Sequence, residues 1–147
     1  MMGDDNTFAL KSKALVDDYT TLLDARQGQE WLSLFASDGY YAVLRRMEHE
    51  EGNNVLIVGE DMKRLRGRIS SALERDLRNS VHMHSGVRAN RDNMTCTATF
   101  ALWSDGLPVY AGRYEFQLTY EEDRLLIKKC TVILDNKIVE SPIYFPI

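Results

Sequence analysis

The fold is decided by the segment VYAGRYEFQLTY at positions 109–120. Large apolar or aromatic side chains stand at Tyr110, Tyr114, Phe116, Leu118 and Tyr120, which are all even positions. Polar or small residues fill most of the positions between them. Successive side chains of a β-strand point to opposite faces, so this period of two predicts a long strand with one buried face and one solvated face.

The segments on either side of 109–120 predict two more strands. TCTATFALWS at 95–104 has the same alternation, and the stretch 125–135 forms a last long strand. Asp105-Gly106 and Glu121-Glu122-Asp123 separate the three runs as hairpin turns. We therefore expect an antiparallel sheet in the second half of the chain.

The first half of the chain has a helical period instead. A first helix carries an apolar face made of Phe8, Leu15, Tyr19, Leu22 and Leu23. Gly28 is expected to cap its C-terminal end. A shorter helix with Trp31, Leu34 and Phe35 follows.

A turn at Asp38-Gly39, a strand at 40–44 and a polar loop at 48–54 come next. A third helix after Gly59 then has a stripe formed by Met62, Leu65, Ile69 and Leu73. Helices followed by antiparallel strands indicate an α+β fold in which helices cover one face of the sheet.

Length and composition are those of one globular domain spanning residues 1–147, with residues 1–6 expected to be flexible. The net charge of −4 gives no general attraction for nucleic acid. No apolar run reaches the length of a membrane span, and the acidic N-terminus does not resemble a signal peptide. A cytoplasmic location is expected, with Cys96 and Cys130 as reduced, buried thiols; a disulfide between neighbouring strands is the alternative.

The stretch 141–147, SPIYFPI, is apolar and contains two prolines. A solvated tail would be polar, so we expect this one to pack on its own domain or on another subunit.

Several short segments, in this order, resemble the β subunits of aromatic-ring-hydroxylating dioxygenases, which belong to the NTF2-like and SnoaL-like superfamily. They are LLDAR at 22–26, EWLSLF at 30–35, DGYY at 38–41, the arginine-rich helix around 65–69, GRYEF at 112–116, and LIKK and TVILDN at 126–136 before an aromatic tail. The resemblance implies a cone-shaped fold in which N-terminal helices pack on a curved, mainly antiparallel sheet.

The resemblance also implies a role in the catabolism of aromatic compounds. In such oxidoreductases the α subunit holds a Rieske 2Fe-2S cluster and a mononuclear iron, and the β subunit is a non-catalytic assembly subunit without a cofactor. This chain would then form a homotrimer and complete an α3β3 complex. Its two isolated cysteines and three histidines cannot supply a Rieske centre.

The histidines are the residues best suited to chemistry. His82 and His84 are two apart on a strand and share a face, but a metal would need a third ligand, and His49 lies in a separate acidic loop. One of the pair could act as a general acid or base, since histidine titrates near neutrality. Otherwise both form hydrogen bonds within the sheet or at a subunit contact.

An alternative function is that of a stand-alone SnoaL-like isomerase or dehydratase acting on a small hydrophobic ring compound. The pocket candidates are Tyr19, Asp38 and His82, although Asp38 beside Gly39 also suits a turn. A ligand-binding protein without chemistry is a third possibility. The subunit hypothesis predicts a filled cone, and the enzyme hypothesis predicts an open pocket containing a histidine and a carboxyl group of raised pKa.

For the subunit hypothesis we expect contacts from the arginine-rich helix, the outward side of the 109–120 strand and the tail. The interface candidates are Arg64, Arg68, Arg113, Glu115, Tyr144 and Phe145.

Overall fold

A computed structural model describes residues 2–53, 55–75, 78–139 and 145–147. The elements run in the order α1 (Met2–Asp24), α2 (Gly28–Leu32), β1 (Phe35–Arg45), α3 (Arg46–Glu50), β2 (Val58–Asp61), α4 (Met62–Arg75), β3 (Ser80–Asn90), β4 (Thr95–Ser104), β5 (Leu107–Glu121) and β6 (Arg124–Leu134). No helix in the described part of the chain is long and apolar enough to cross a membrane.

The six strands form one sheet in the order β2-β1-β6-β5-β4-β3. Only β1 and β6 pair in parallel, and the other neighbours are antiparallel. This is the predicted α+β architecture, with the helices packed on a mainly antiparallel sheet.

The two predicted hairpin turns are confirmed. Ser104 pairs with Leu107 across Asp105 and Gly106, whose φ angles are 50° and 80°. Two positive φ values are what a type I′ turn needs, and the twist of that turn matches the twist of the strands. Glu121 likewise pairs with Arg124 across a two-residue turn. The predicted buried faces are confirmed for most of β4 and β5, but Tyr120 is 41% exposed at the end of its strand.

The region between the second helix and the long strands differs from the prediction. Asp38 and Gly39 are not a turn before the strand; they lie within β1, where its register against β6 shifts. The expected polar loop contains the short helix α3, and a short strand, β2, precedes α4. α3 has five residues and β2 has four, so both are too short for a period to show in their sequences.

Two helix details are also corrected. α1 ends through Arg26 in the left-handed conformation, with φ 59°, and Gly28 begins α2 instead of capping α1. Gly28 is required for another reason, because a Cβ there would collide with the side chain of Ile69. On α4, Ala72 is buried and Leu73 is 38% exposed, so the stripe turns away from Leu73.

The core lies between the helices and the inner face of the sheet, which is the face turned toward α1. Tyr19 packs edge-on against Trp31, Tyr114 and Phe116, at centroid distances of 5.1–5.4 Å. Trp31 also contacts Tyr41. Each of these rings is at most 2% exposed. Such edge-to-face pairs add to the free energy gained by burying the rings.

Two further features concern cysteine and the tail. Cys96 and Cys130 are free, buried thiols. Phe145 and Ile147, at 7% and 1% exposed, pack on the domain itself. The rest of the tail, including Tyr144, lies outside the described residues.

The outer face of the sheet, opposite the helices, is only partly covered. α3 and the loop after it lie over β1 and β6, where Leu44 and Ile133 are buried. Farther along the same face, Val81, Met83 and Trp103 remain 54%, 51% and 37% exposed. Val81 stands opposite Trp103 in the sheet. We call these three residues the outer-face patch.

Close approach of β5 to β6 requires Gly112, because a Cβ there would collide with the carbonyl oxygen of Ile133. We expect Gly112→Ala to lower the free energy of unfolding by about 3 kcal/mol, since neither backbone can move without breaking the ladder. Urea unfolding measures the change. Gly67→Ala on α4 is the control: a Cβ meets nothing within 4 Å there, and alanine should stabilise the helix by about 0.5–1 kcal/mol. Equal effects of the two substitutions would contradict this packing.

Candidate functional site

A buried histidine–carboxylate pair joins α1 to β3. Asp24, the last residue of α1, places Oδ1 2.5 Å from Nδ1 of His82. Its Oδ2 accepts a hydrogen bond from the His82 main-chain N–H at 2.8 Å, and Ser80 Oγ donates to Oδ1 at 3.2 Å. The side chain of His82 is only 1% exposed. The carboxylate therefore fixes both the position of the imidazole and its orientation.

The environment of Asp24 favours its charged form. Burial acts to raise the pKa of this carboxyl, but the hydrogen bonds from the His82 ring and amide outweigh burial, and the pKa lies below its ordinary value. The pair therefore keeps a carboxylate beside the imidazole at neutral pH. A carboxylate in this position stabilises the positive charge that the ring would carry if its far nitrogen took up a proton.

That far nitrogen, Nε2 of His82, is buried and has no hydrogen-bond partner among the described residues. His82 lines a cavity of about 40 Å³, together with Tyr110, Phe145 and Ile147. Such a space holds water molecules but no ring compound. Buried polar atoms are nearly always bonded, so an unpaired imidazole nitrogen at this position is uncommon.

His84, two residues along the same strand, has a different environment. Its Nε2 lies 2.7 Å from Asp17 Oδ1, and its Nδ1 lies 3.2 Å from Thr20 Oγ1. Both ring nitrogens are thus engaged by α1. This arrangement matches a histidine that forms hydrogen bonds within the structure, and it leaves His82 as the histidine of the pair with an available nitrogen.

Residues 145–147 occupy the space next to this cavity. The hydroxyl of Tyr19 donates to the main-chain oxygen of Ile147 at 2.7 Å, and the Ile147 N–H donates to the Tyr41 hydroxyl at 2.9 Å. The guanidinium of Arg26 lies 4.5 Å from the ring centre of Phe145. Burial raises the pKa of Tyr19 and of Tyr41, so both hydroxyls stay neutral hydrogen-bonding groups.

The structure brings together two of the three predicted pocket residues. Tyr19 and His82 both lie on the inner face, where each contacts or adjoins the 145–147 segment. Asp38 lies outside, with a side chain 69% exposed and 3.8 Å from Lys128. The carboxylate of the site is Asp24. Sequence reasoning missed it because a polar residue at the end of a helix is ordinary, and only the fold places it against β3.

The predicted interface residues fall in different environments. Arg64 is exposed, and Arg68 forms an ion pair of 2.6 Å with Glu60. Arg113 and Glu115 lie 3.3 Å apart, at 45% and 40% exposure, on the outer face. Phe145 is buried in its own domain.

Metal-binding groups do not cluster in the part of the chain that the structure describes: three or more His, Cys, Asp or Glu side chains never come together there. His49 lies near Glu115 on β5, with 3.6 Å between Nε2 and Oε1. Strand β4 separates β5 from β3, which carries the other two histidines.

Removing the charge of Asp24 should reduce stability in a pH-dependent way. Because the pKa of Asp24 is lowered on folding, its contribution is present above about pH 4 and is lost as the pH falls through the folded pKa. We expect Asp24→Asn to lower the free energy of unfolding by about 1–2 kcal/mol at pH 7, with a smaller difference near pH 3. Urea titrations at both pH values measure it. Asp18→Asn, at an exposed site on the same helix, is the control and should have little effect. If Asp24→Asn lowers the free energy of unfolding equally at both pH values, the charge of Asp24 does not have this role.

Comparison with solved structures finds close likeness in fold at low sequence identity. The β subunit of a proposed aromatic-ring-hydroxylating dioxygenase from Novosphingobium aromaticivorans has a TM-score of 0.83 at 17% identity, covering 96% of this chain and 97% of that one. A proposed scytalone dehydratase from the same organism has a TM-score of 0.74 at 11% identity, covering 95% and 94%. The β subunit of benzoate 1,2-dioxygenase from Burkholderia mallei has a TM-score of 0.68 at 17% identity, covering 89% and 94%. At these identities the likeness establishes the fold alone.

A search of curated proteins finds no match. The family model of the SnoaL-like domain matches residues 12–131, from the middle of α1 into β6, and so includes Tyr19, Asp24 and His82. The chain therefore belongs to the SnoaL-like domain family.

Proposed function

We propose that this protein is an assembly subunit of the β type in a Rieske-type aromatic-ring-hydroxylating dioxygenase. The observation that carries the proposal is the outer-face patch. Val81, Met83 and Trp103 place three large apolar side chains on one uncovered side of the sheet. Exposed apolar clusters of this kind mark protein–protein contacts.

The filled interior of the cone supports the same role. Aromatic rings and the 145–147 segment occupy the space around Tyr19, and the cavity of about 40 Å³ beside His82 has no room for an aromatic substrate. In this role the protein contributes contact surface to the complex, and the Rieske cluster and mononuclear iron lie in a catalytic α subunit. The likeness to two dioxygenase β subunits adds support at the level of the fold.

The deciding experiment is the mass of the native particle, alone and after co-expression with a Rieske-type α chain. We expect a trimer alone and an α3β3 hexamer with the partner. A particle whose mass does not change with the α chain would overturn the proposal.

A charge within the outer-face patch should weaken assembly. We expect Met83→Lys to shift the particle toward the monomer, because a buried, unpaired ammonium group is costly at an apolar contact. Light scattering coupled to size-exclusion chromatography measures the shift. Ile138→Lys is the matched control, since Ile138 is 72% exposed outside the patch. If Met83→Lys assembles as well as Ile138→Lys does, the patch is not the contact surface.

A second candidate function is acid–base catalysis on a small ring ketone. The observation that favours it is the Asp24–His82 pair, in which Nε2 is buried without a partner among the described residues and His82 lines the cavity beside the 145–147 segment. The cavity of about 40 Å³ admits no ring compound, so this function requires residues 145–147 to leave the space that they fill and to release the Tyr19 hydroxyl. In a β-hydroxy ketone bound there, Nε2 would take the proton next to the carbonyl group while the Tyr19 hydroxyl bonds the carbonyl oxygen. The electron pair of the resulting enolate would then form the C=C bond as the C–O bond breaks, and the hydroxyl group would take the proton from Nε2 and leave as water.

Dehydration of 3-hydroxycyclohexanone to 2-cyclohexenone, followed by ultraviolet absorbance, tests this chemistry. If the second candidate is correct, the unaltered protein converts the compound, and His82→Ala loses about 100-fold or more in rate because the base is removed. His84→Ala is the control, since both nitrogens of that ring are bonded to α1. No conversion by the unaltered protein, or equal rates for both variants, would exclude His82 as the base for this reaction.

A further inference from the structure

A groove of about 780 Å³ lies on the outer face of the sheet. Strands β1, β4, β5 and β6 form its floor, and α3 with the residues that follow α3 forms one wall. The volume is in the range of small-molecule sites, about 300–1,000 Å³. The groove shares no lining residue with the outer-face patch or with the cavity beside His82, so it is a separate feature of the molecule.

Two neighbouring rows of side chains cross the floor of the groove. Residues that stand opposite each other on paired strands point to the same face, so each row presents its side chains together. Because strands lie about 4.8 Å apart, a row that crosses four strands is about 14 Å long. The first row is Thr97, Glu115 and Thr131 on β4, β5 and β6, and the second is Thr95, Gln117, Lys129 and Tyr40 on β4, β5, β6 and β1.

Most of the hydrogen-bonding groups in the two rows are available to a ligand. Each hydroxyl or carboxamide group can both donate and accept hydrogen bonds. A ligand that suits such a floor carries many groups that also donate and accept, as hydroxyl groups do. In the part of the chain that the structure describes, no hydrogen-bond partner is found for four of these side chains, those of Thr95, Thr97, Gln117 and Thr131.

The charge and the aromatic surface of the groove narrow the ligand class. Lys129 and Glu115 line it with opposite charges, so the groove has no net attraction for an anion or a cation. The ammonium group of Lys129 lies 6.0 Å from the ring centre of Tyr40, at the end of the second row. The Tyr40 ring offers an apolar surface against which the C–H groups of a sugar ring can pack. These properties favour a neutral molecule with many hydroxyl groups.

We propose that this groove binds a neutral carbohydrate of two linked sugar rings. The hydroxyl groups of the sugar bond the threonine, glutamine and charged side chains of the two rows, and the length of the second row accommodates two rings. The Tyr40 ring packs against one of them. This inference does not depend on the assembly role, because the outer-face patch lies on β3 and β4 at a different part of the sheet.

The direct test titrates the unaltered, isotope-labelled protein with the disaccharides maltose and cellobiose and follows the amide signals by NMR. We expect saturable binding of at least one of the two. The shifts should concentrate in residues 95–97, 115–117 and 129–131 of the floor and in residues 49–53 of the wall. If neither disaccharide binds saturably, or if the shifts are confined to α1 and β3, the proposal is wrong.

Removing a hydrogen-bonding group from the floor should weaken binding. We expect Gln117→Ala to bind the disaccharide about tenfold more weakly, which corresponds to the loss of one or two ordinary hydrogen bonds. Gln117 is exposed, so the substitution leaves the core intact. Gln29→Ala, at an exposed glutamine on α2, is the matched control and should bind as the unaltered protein does. Equal affinities for the two variants would contradict the proposal.

A second variant removes a hydroxyl group and keeps the shape of the side chain. Thr131→Val retains the branched Cβ that suits a strand, and we expect it to bind about fivefold more weakly because one hydrogen bond is lost. Circular dichroism checks that the variant is folded. A folded Thr131→Val protein that binds as tightly as the unaltered protein would show that the first row does not contact the sugar.

An anionic disaccharide tests the ligand class. Sucrose octasulfate carries sulfate groups in place of hydroxyl groups, and we expect it to shift the amide signals of the groove less than maltose or cellobiose does at equal concentration. Tighter binding of sucrose octasulfate at those same amides would assign the groove to anions and overturn the neutral class. The particle mass, measured in the same samples, reports separately on the assembly role.

Discussion

The hydroxyl of Tyr19 lies in an interior of aromatic rings, where an unbonded polar group would be costly. The contacts of the Tyr19 side chain connect four parts of the chain. The hydroxyl donates to the Ile147 oxygen and receives a hydrogen bond from Cys130 Sγ at 3.5 Å, while the ring packs on Trp31 and on β5. Helix α1, the sheet and the 145–147 segment must therefore be in place together for this one side chain to be satisfied.

The position of α1 depends on a second set of polar contacts at the edge of the sheet. Asp24 and Asp17, two turns apart on the helix, bond His82 and His84, two residues apart on β3. The spacing of seven residues on a helix and two on a strand brings both pairs into contact along one seam. The same seam that orients α1 also fixes the position and orientation of the His82 imidazole.

The two faces of the sheet support different functions. The inner face holds the histidine–carboxylate pair and is closed by residues 145–147, whereas the outer face displays the apolar patch. In the proposed assembly role, the outer face would contact partner subunits without disturbing the core on the inner face.

The strands β4–β6, their turns and the apolar face of α1 could be predicted from the sequence, because a period of two or of 3.6 residues is a local property of the chain. It also indicated His82 and Tyr19 as residues of interest. It could not show that Asp24 is the partner of His82, since residues 24 and 82 meet only when α1 packs on β3. The same holds for residues 145–147, whose apolar character was evident but whose place against Tyr19 and Tyr41 was not. Contacts between residues more than 50 positions apart depend on how the helices and the sheet pack, and the local pattern of the sequence does not reveal them.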